Sequence, residues 1–413
     1  MPTASSFRDA FRPRLQNGVI EFPVHHMRGG TSTGLVLWAA SAPLDPHLKE
    51  ELLRHLMGAP LAGTNENNKQ ITGLGRGGPT SNKVFFADTA TENGAPVIVS
   101  TLAQLASDHD GVDWSVNCGN MSSALQLWAI DLGLIVVPSA GKTEVRIRNT
   151  NTGVITVSRM ERCADGRFLD ADIPGVDGAY PAVDLFMQAP TGSKTGKLLP
   201  TGAVIDLIDG VHVSCVDVAV PMVICAASEF GKTGYEPVRE LDADPVFKAR
   251  LRAVWVEAGL RMGLTRRDGS LMTAAELERS ETIPKICLVA PPRAGGNIAV
   301  RYFTPQAGHG SMAVSGGCCL AAAALIPGSV AQQVAHGLAA TTGTFADIGV
   351  SIENPAGILD ATVVVKHDDD GLCVQSAAYR RSTQILLRGY VPLYRASPQL
   401  TDGLSAFSPH VFP

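Results

Sequence analysis

Cys118 stands between two asparagines in "SVNCGNMSSALQLWAIDLG" (115–133), directly before a long apolar run. A thiol at the start of a helix meets unpaired backbone N–H groups, which stabilise the thiolate form and allow proton exchange with a reacting carbon. The alternative is a capping segment in which Asn117 or Asn120 binds those N–H groups and Cys118 is a small packing residue. The residues by themselves leave both interpretations open.

Lys83 begins an apolar run in "TSNKVFF", after the glycine-rich loop "GLGRGGP". A lysine at the start of a strand is commonly solvated. If it is carried into a dry pocket, its charged form loses solvation and the neutral amine can act as a general base. Lys83 is therefore a candidate base, with a solvated surface lysine as the alternative.

The segment "MRGGTSTG" (27–34) follows an apolar strand and contains Arg28, two adjacent glycines and three hydroxyl side chains. Two glycines are enough to explain a tight turn. The same residues can also form an anion cradle, because backbone N–H groups approach a ligand closely where no Cβ stands in the way. Both interpretations stay open.

The composition of the chain allows the large cores that would be needed to position these groups. Of its 413 residues, 45% are hydrophobic and 18% are charged, which argues against global disorder. The formal charge is 34 − 39 = −5 without a basic run, which argues against a dedicated nucleic-acid-binding protein. Many glycines, prolines and short β-branched runs predict a strand-rich chain with few helices.

Two predicted helices, 120–132 and 315–326, are apolar around their whole circumference, which is typical of helices buried on every side. Each follows a polar segment that contains glycine, "NCGN" or "GHGSM". We expect two related halves, each with strands around one of these helices, joined by a linker at 189–202. Two unrelated core helices are the alternative. The other predicted helices are 45–57 with Asp45 as N-cap, 243–262, 273–280 and 329–341.

No cofactor motif is present in the sequence. The eight cysteines include no CxxC pair, and the ten histidines form no HExxH motif or zinc-spaced cluster. "GSKTGKLL" has one residue too few between its glycine and GK for a phosphate loop, and Leu198 follows instead of a hydroxyl. The glycine loop before Lys83 precedes a strand, whereas a dinucleotide site needs the glycines to open a helix. We therefore expect no metal and no organic cofactor.

The localisation follows from two further observations. The N-terminal stretch lacks the apolar core of a signal peptide, and no run of 18 apolar residues occurs. Free cysteines without a disulfide pattern are typical of a reducing compartment. We expect a cytoplasmic protein that contacts neither a membrane nor nucleic acid.

Taken together, these segments resemble the PrpF family, in the same order and over most of the chain. The resemblance rests on "MRGGTSTG", "SNKV", "NCGN", "TGKLLPTG", "GHGSMAVSGGCCLAAA", "ENPAG" and "YRRSTQILLRGYV". It implies a diaminopimelate-epimerase-like α+β fold with two similar domains, each a curved, mostly antiparallel sheet around a central buried helix. The implied domains are 1–190 and 191–384, with 385–413 returning to the first and the active site in the cleft between them.

The resemblance also implies an activity, because members of the family isomerise unsaturated di- and tricarboxylates without a cofactor. They include 2-methylaconitate cis-trans isomerase, 4-oxalomesaconate tautomerase, and methylitaconate and aconitate Δ-isomerases. The catalytic lysine and cysteine of the family correspond to Lys83 and Cys118. Candidate substrate-binding residues are Arg28, Gly30, Thr31, Ser32, Ser81, Asn82, Asn117, Gly119, Asn120, Met121, His309, Gly310, Ser311 and Met312.

Four motifs depart from the family pattern. Thr33 stands where the family has the lysine of GGTSKG, and Gly310 follows His309 where it has HKA. "NPAG", with Asn354 and Ala356, replaces HPSG, and "RSTQ" ending in Gln384 replaces RTAR. Because Lys83 and Cys118 are retained, these departures bear on the identity of the substrate more than on the type of reaction.

Two other function classes are compatible with parts of the sequence. A non-catalytic partner of an aconitase-like dehydratase would keep ligand-binding residues, but it would not need the base Lys83. A racemase of the same fold pairs two cysteines, one before each central helix, whereas "GHGSM" has none and Cys318 and Cys319 lie further on. We therefore expect an isomerase with a small polycarboxylate substrate. A homodimer and a functional pairing with a dehydratase stay open.

Overall fold

The structure is a computed structural model that describes residues 11–77, 82–115, 118–266, 268–369 and 371–407. The chain divides into two compact units. Unit 1 comprises the chain up to Asp172, Val176–Val183 and the chain from Arg381 onward, and unit 2 comprises Ile173–Gly175 and Asp184–Arg380. The sequence analysis predicted that the second domain begins at residue 191 and that the chain returns to the first domain at residue 385.

Unit 1 is built mainly from strands, with two helices in its interior and two packed on its sheet. Its strands are β1 (Arg14–Gln16), β2 (Val19–Gly29), β3 (Ser32–Trp38), β4 (Lys83–Glu92), β5 (Ala95–Leu105), β6 (Val112–Asp113), β7 (Gly141–Asn149), β8 (Ile155–Arg162), β9 (Asp170–Ala171), the first part of β10 (Tyr180–Gln188) and β20 (Arg381–Pro392). Its helices are α1 (Pro46–Met57), α2 (Gly119–Ser122), α3 (Leu125–Asp131) and α9 (Pro398–Ser405), with a 3₁₀ turn at Ala39–Ser41.

The strands of unit 1 form a closed circuit of pairings, in the order β20–β2–β3–β4–β5–β7–β8–β10–β20. Pairs β3–β4 and β5–β7 are parallel and the other pairs with a described register are antiparallel. Helix α3 is buried around most of its surface, including the large side chain of Trp128. A helix without a polar face must be enclosed, and this circuit of strands encloses it.

The strands of unit 1 have two faces with different neighbours. Residues such as Val24, Leu35 and Val84 form one core cluster with Leu52 of α1 and Leu400 of α9. We call this the outer face. The inner face carries the alternate residues of the same strands, because successive strand side chains point to opposite sides, and it packs against α2 and α3.

Unit 2 has the same mixture of elements. Its strands are β11 (Asp206–Ile208), β12 (Val211–Val218), β13 (Val220–Ala226), β14 (Lys285–Ala290), β15 (Ile298–Thr304), β16 (Ala307–Gly308), β17 (Ala346–Asn354), β18 (Gly357–Asp368), β19 (Gly371–Tyr379) and the last part of β10. Its helices are α4 (Val238–Ala243), α5 (Pro245–Arg261), α6 (Ala274–Arg279), α7 (Val314–Ala323) and α8 (Val330–Val334), with a 3₁₀ turn at Ala227–Phe230.

The pairings of unit 2 repeat those of unit 1. A parallel pair, an antiparallel hairpin and a second parallel pair follow one another as β13–β14, β14–β15 and β15–β17, as β3–β4, β4–β5 and β5–β7 do in unit 1. Short strands β6 and β16 then precede α2–α3 and the buried helix α7 respectively. The fold is therefore α+β, with two similar, diaminopimelate-epimerase-like units, as the resemblance implied.

Several predicted helices are present close to their expected bounds. Asp45 caps α1 by accepting from the backbone N–H groups of His47 and Leu48. Thr273 caps α6 in a reciprocal capping box with Glu276. These caps could be predicted because they depend on local sequence only.

Two predicted helices differ from the structure. The span 120–132 is divided into α2 and α3, and Ser122 and Ser123 donate their hydroxyls to the carbonyls of Cys118 and Asn120 in the turn between them. The span 329–341 ends at Val334, because the N–H of His336 bonds the carbonyl of Asn297 rather than continuing the helix.

The glycine-rich segment 189–202, which composition marked as a linker, lies within unit 2. The buried carboxylate of Asp217 accepts hydrogen bonds from the hydroxyls of Ser193 and Thr195 and from the backbone N–H groups of Lys194 and Thr195. The donors that a phosphate would need are therefore bound to an internal carboxylate. In the described ranges, no helix is both long and apolar enough to cross a membrane.

Candidate active site

The side chains of Lys83 and Cys118 are in direct contact. The Nζ atom of Lys83 lies 3.2 Å from the Sγ atom of Cys118, within hydrogen-bonding distance. Lys83 is 7% exposed and Cys118 is partly exposed. The amine is therefore mostly removed from water, whereas the thiol that it touches is partly accessible. Together the two groups can transfer protons to and from a small ligand that reaches the thiol.

Strand register places Lys83 on the inner face of unit 1. Lys83 pairs with Gly34 of β3, and its neighbour Val84 packs on the outer face. A Cβ on Gly34 would overlap the carbonyl oxygen of Lys83 and approach the side chain of Met121 in α2. The absence of a side chain at position 34 therefore lets the start of β4 lie against α2.

This close approach gives a stability prediction. We expect Gly34→Ala to lower the free energy of unfolding by about 1–3 kcal/mol, because the new methyl group must displace the backbone of Lys83. Chemical denaturation measures the change. Gly389→Ala in β20 is the control, because the nearest atom to its Cβ is 4.0 Å away. Equal stability of the two variants would contradict the close approach.

Cys118 is the N-cap residue of α2, but its thiol does not cap the helix. Its carbonyl oxygen instead accepts from both the backbone N–H and the hydroxyl of Ser122, each at 2.9 Å. These bonds hold the backbone of Cys118 and leave the thiol directed at Lys83. Because α2 is one turn long, its dipole is small. The contact with the amine of Lys83 is therefore a stronger influence on this thiol than the helix dipole.

Asn120 links the β2–β3 turn to the start of β20. Its Nδ2 donates to the hydroxyl of Thr31 at 3.2 Å, and its Oδ1 accepts from Nε of Arg381 at 3.0 Å. Gly30 in this turn has φ +54°, and a Cβ there would lie 2.7 Å from Oδ1 of Asn120 and 3.1 Å from Cδ of Arg381. The double glycine is thus explained by close packing as well as by the turn.

Arg28 is held by other groups, on the outer face of β2. Its neighbour Gly29 faces α2, because a Cβ there would overlap the carbonyl oxygen of Asn120. The guanidinium of Arg28 donates to the carbonyl of Gly30, to Ser382 and to the side-chain oxygen of Gln384. Burial lowers its pKa, an effect that the nearby Tyr180 partly offsets. Its predicted role in substrate binding stays a prediction.

Two of the departures from the family pattern flank Arg28. Register pairs Arg28 with Thr33 on one side and with Gln384 on the other. The amide of Gln384 accepts from Nε of Arg28 at 3.3 Å, which an arginine at position 384 could not do. Both departures therefore belong to the surroundings of Arg28 on the outer face, and the contact between Lys83 and Cys118 does not depend on them.

Asn82 is fully buried and holds the glycine-rich loop that precedes β4. Its side chain accepts from the backbone N–H of Arg76 and donates to the side chain of Gln70 and the carbonyl of Gly77. These contacts occupy the carbonyl and both N–H groups of the amide. The contacts support a role in positioning Lys83, the next residue, and leave substrate binding by Asn82 a prediction.

The other candidate substrate-binding residues in this part of the chain are described by fewer contacts. Ser32 begins β3 on the same face as Gly34, and Met121 is buried against that glycine. A Cβ on Gly119 would meet no atom within 4 Å. Ser81 and Asn117 lie outside the described residues.

The remaining predicted residues lie in unit 2, in the segment that leads into α7. Nδ1 of His309 accepts from the backbone N–H of Ser311 at 3.0 Å, which requires an unprotonated Nδ1. Met312 is buried, and a Cβ on Gly310 would meet no atom within 4 Å. Their proposed contact with substrate remains untested.

The two other departures also lie in unit 2. Oδ1 of Asn354 accepts from the backbone N–H of Ala356 at 3.0 Å, in the turn between β17 and β18. These residues therefore form a local hairpin turn. Among the described residues, no group of three or more His, Cys, Asp or Glu could hold a metal ion.

Sequence reasoning missed Arg381, which the structure places beside Asn120. Arg380 and Arg381 are adjacent in "YRRSTQ", and the sequence does not show which of them faces α2. Arg380 forms a bidentate pair with Asp184 in unit 2, whereas Arg381 is 7% exposed and bonds Asn120 in unit 1. Period-two alternation after Tyr379 was the available signal, but it needs the position of α2 to be useful.

The amine and the thiol together can accept and return one proton. In a net-neutral pair, either the amine is the base and the thiol the acid, or the thiolate is the base and the ammonium the acid. Passage of one proton across the 3.2 Å contact converts one form into the other. The pair can therefore remove a proton from one carbon, deliver one to another carbon, and return to its starting form.

Comparison with known proteins gives matches along nearly the whole chain. The family model described as PrpF protein matches residues 19–394. The chain is 33% identical over 381 residues to the 4-oxalomesaconate tautomerase of Pseudomonas putida (strain KT2440), covering 92% of this chain and 98% of that protein. It is also 33% identical over 382 residues to the (4E)-oxalomesaconate Delta-isomerase of Novosphingobium sp. (strain KA1), covering 92% and 99%.

The same likeness extends to a solved structure. The crystal structure of methylitaconate-delta-isomerase matches with a TM-score of 0.74 and 26% sequence identity, covering 92% of this chain and 99% of that one. Sequence and fold therefore point to the same group of proteins.

Proposed function

Because the chain belongs to the PrpF protein family, we propose that it is a cofactor-independent isomerase of an unsaturated di- or tricarboxylate. The proposed reaction moves a proton between the two ends of an allylic system. The observation that carries the proposal is the direct contact between Lys83 and Cys118. The contact brings an amine that can act as a base and a thiol that can act as an acid within hydrogen-bonding distance of each other.

In the proposed mechanism, the neutral amine of Lys83 removes a proton from the carbon next to the double bond. The electron pair of that C–H bond moves into the allylic system and gives a dienolate, whose charge spreads onto a carboxylate. Cys118 then delivers its proton to the γ-carbon and becomes a thiolate. The new ammonium of Lys83 is beside the developing negative charge and stabilises it.

The pair is reset when the ammonium of Lys83 returns a proton to the thiolate of Cys118 across their contact. Rotation about the former double bond in the dienolate would add cis–trans isomerisation to the double-bond shift. Both outcomes need the same two groups, so the structure supports one mechanism for either.

The substrate class is proposed from the relatives. Two of them are named for oxalomesaconate, and the solved neighbour is named for methylitaconate. These compounds are unsaturated polycarboxylates with an acidic allylic hydrogen, which is what an amine base needs. Thr33 and Gln384, which flank Arg28, differ from the family pattern. We therefore expect these differences to bear on which compound of this class is the substrate.

The alternative of a non-catalytic partner has less support. A non-catalytic binding protein does not need a lysine amine in contact with a partly exposed thiol, whereas proton transfer does. We also propose the cytoplasm as the compartment, because none of the eight cysteines forms a disulfide and the mechanism needs Cys118 reduced. A homodimer and a functional pairing with a dehydratase stay open, as in the sequence analysis.

The proposal predicts turnover of at least one member of a substrate panel. Purified protein in chelator-treated D₂O buffer would be mixed with oxalomesaconate, methylaconitate, aconitates or methylitaconate, and proton NMR would follow both isomer formation and deuterium incorporation. We expect catalysed loss of the allylic hydrogen signal together with a new isomer. Absence of both for every compound, or activity that requires added metal, would contradict the proposed function.

A further inference from the structure

We propose that the side-chain amide of Gln104 donates a hydrogen bond to a carboxylate of the substrate, beside the amine of Lys83. This inference rests on the proposed function and assigns a substrate-binding residue that the sequence did not indicate. It follows from the register of strands β3 to β6, from the contacts of the neighbouring polar side chains and from the exposure of Gln104.

Strand register places Gln104 directly opposite Lys83. The two residues are cross-strand partners in the antiparallel pair β4–β5. Their chain neighbours Val84 and Ala103 belong to the outer-face core cluster. Because successive side chains of a strand point to opposite sides, Lys83 and Gln104 both point to the inner face. Gln104 therefore lies on the same face as the amine that contacts Cys118.

The pair formed by Lys83 and Gln104 is of the type in which opposite side chains come closest. The backbone N–H of Leu105 donates to the carbonyl of Asn82 at 3.0 Å, so the adjacent pair is the hydrogen-bonded one. Lys83 and Gln104 are then a non-hydrogen-bonded pair, whose Cβ atoms typically lie ~4.5–5.5 Å apart. The glutamine side chain is only one bond shorter than the lysine side chain. A ligand that touches the amine is therefore within reach of the amide.

The amide of Gln104 differs in its contacts from the amide of Asn82, which precedes Lys83. Asn82 is fully buried and uses its carbonyl and both N–H groups to hold the loop before β4. Gln104 is partly exposed, and in the part of the chain that the structure describes no hydrogen bond involves its side chain. Its two N–H groups do not hold the fold together and can bind a ligand.

A row of cross-strand partners runs over the inner face from β3 to β6. Register aligns in this row Gly34, Lys83, Gln104 and Asp113. Gly34 lets α2 approach, and the exposed carboxylate of Asp113 accepts from the N–H and the hydroxyl of Ser115. An open cleft of about 450 Å³ is lined by Gln104, Asp113 and the turn between β5 and β6, which is a volume typical of small-molecule sites. Gln104 is the neutral donor in this row.

The equivalent position in unit 2 has a different arrangement. Extension of the β14–β15 register by one residue places Thr304 opposite Lys285, as Gln104 is opposite Lys83. The hydroxyl of Thr304 donates to the carbonyl of Ala307, in the turn that follows β15. The polar group at this position thus has a local structural contact in unit 2, whereas unit 1 places a longer amide beside the proposed base.

The chemistry of an amide suits this position. An N–H group that donates to a carboxylate makes a charge-assisted hydrogen bond, which is stronger than one between neutral groups. In the proposed mechanism the charge of the dienolate spreads onto a carboxylate next to the carbon that Lys83 deprotonates. A donor directly beside Lys83 can meet that charge, so its hydrogen bond strengthens as the dienolate forms.

The kinetic test compares Gln104→Leu and Gln104→Glu with wild type, using the panel compound that wild type turns over best. Gln104→Leu keeps a similar volume without a donor. We expect its kcat/KM to fall by about 10- to 100-fold, the usual effect of losing a hydrogen bond to a charged group. Gln104→Glu keeps the shape but repels the carboxylate, so its kcat/KM should be lower still. Gln16→Glu, at an exposed glutamine of β1, is the control and should keep wild-type kinetics.

The order of the two variants separates substrate binding from packing. If Gln104 only fills space, Gln104→Glu should be at least as active as Gln104→Leu, because it preserves the shape of the side chain more closely. That result would overturn the inference, as would wild-type kcat/KM in Gln104→Leu. Thermal denaturation should show that both variants are folded.

A binding measurement separates this inference from the proposed function. Calorimetric titration with trans-aconitate as the probe needs no turnover, and we expect its Kd to rise about 10-fold or more in Gln104→Leu. If wild type turns over no panel compound, the proposed function fails, whatever the binding data show. If wild type is active but kcat/KM and Kd are unchanged in folded Gln104→Leu, only the assignment of Gln104 is overturned.

Discussion

Replacing Lys83 with alanine is expected to lower turnover by ~10²–10⁴-fold, the usual contribution of a general base. The variant loses the group that removes the allylic proton, and it also loses the ammonium that would face the dienolate. Substrate affinity should change much less, because we expect the carboxylates to be bound mostly by backbone N–H groups and hydroxyls, such as those of the β2–β3 turn, rather than by Lys83. Steady-state kinetics with the best panel substrate measures both quantities.

One further variant and a rescue experiment separate chemistry from packing. Lys83→Met keeps most of the side-chain volume without the amine, so it should be as inactive as Lys83→Ala while being better packed. Added small primary amines should restore part of the activity of Lys83→Ala only, because only that variant leaves space for them.

Lys285 offers a matched control in unit 2. It begins β14 as Lys83 begins β4, and burial lowers its pKa. Within the described part of the chain, however, no hydrogen bond joins Lys285 to a thiol. Lys285→Ala should therefore keep turnover within a few-fold of wild type. A collapse of activity in Lys285→Ala but not in Lys83→Ala would refute the choice of base.

Replacing Cys118 with serine is expected to reduce isomer formation by at least ~10²-fold. A hydroxyl holds its proton far more tightly than a thiol does, so the γ-carbon is no longer protonated efficiently. The serine retains a small polar group beside Lys83, so the structure and the base should be preserved. Cys163→Ser, at an exposed cysteine, is the control and should be fully active.

If Cys118→Ser retains a large share of wild-type turnover, the thiol only positions or polarises the substrate and another group returns the proton. Alkylation gives an independent check. Iodoacetamide should inactivate wild type, and a bound polycarboxylate should slow that inactivation, whereas Cys118→Ser should lose no further activity.

Much of the fold could be predicted because its signals are local or periodic. Asp45 and Thr273 cap helices through contacts within three residues. The helices at 120–132 and 315–326 are apolar on all sides, and burial is the only stable environment for such a surface. Strand content followed from short β-branched runs between turn residues.

The features that escaped prediction depend on contacts distant in sequence. The division of 120–132 into two helices places Asn120 against Thr31 and Arg381, 89 and 261 residues away. The end of α8 depends on Asn297, which no pattern near 329–341 reveals. Lys83 and Cys118 were candidates from their local sequence and matched the catalytic residues that the family resemblance implies, but their contact at 3.2 Å required the structure.

The most direct test of the central claim is deuterium exchange at the allylic carbon, followed by proton NMR in D₂O for wild type, Lys83→Ala and Cys118→Ser. If Lys83 removes the proton and Cys118 returns one at the γ-carbon, Cys118→Ser should exchange the allylic hydrogen with solvent while forming almost no isomer. Lys83→Ala should neither exchange nor isomerise. Exchange at the wild-type rate in Lys83→Ala would show that another group is the base and would contradict the mechanism.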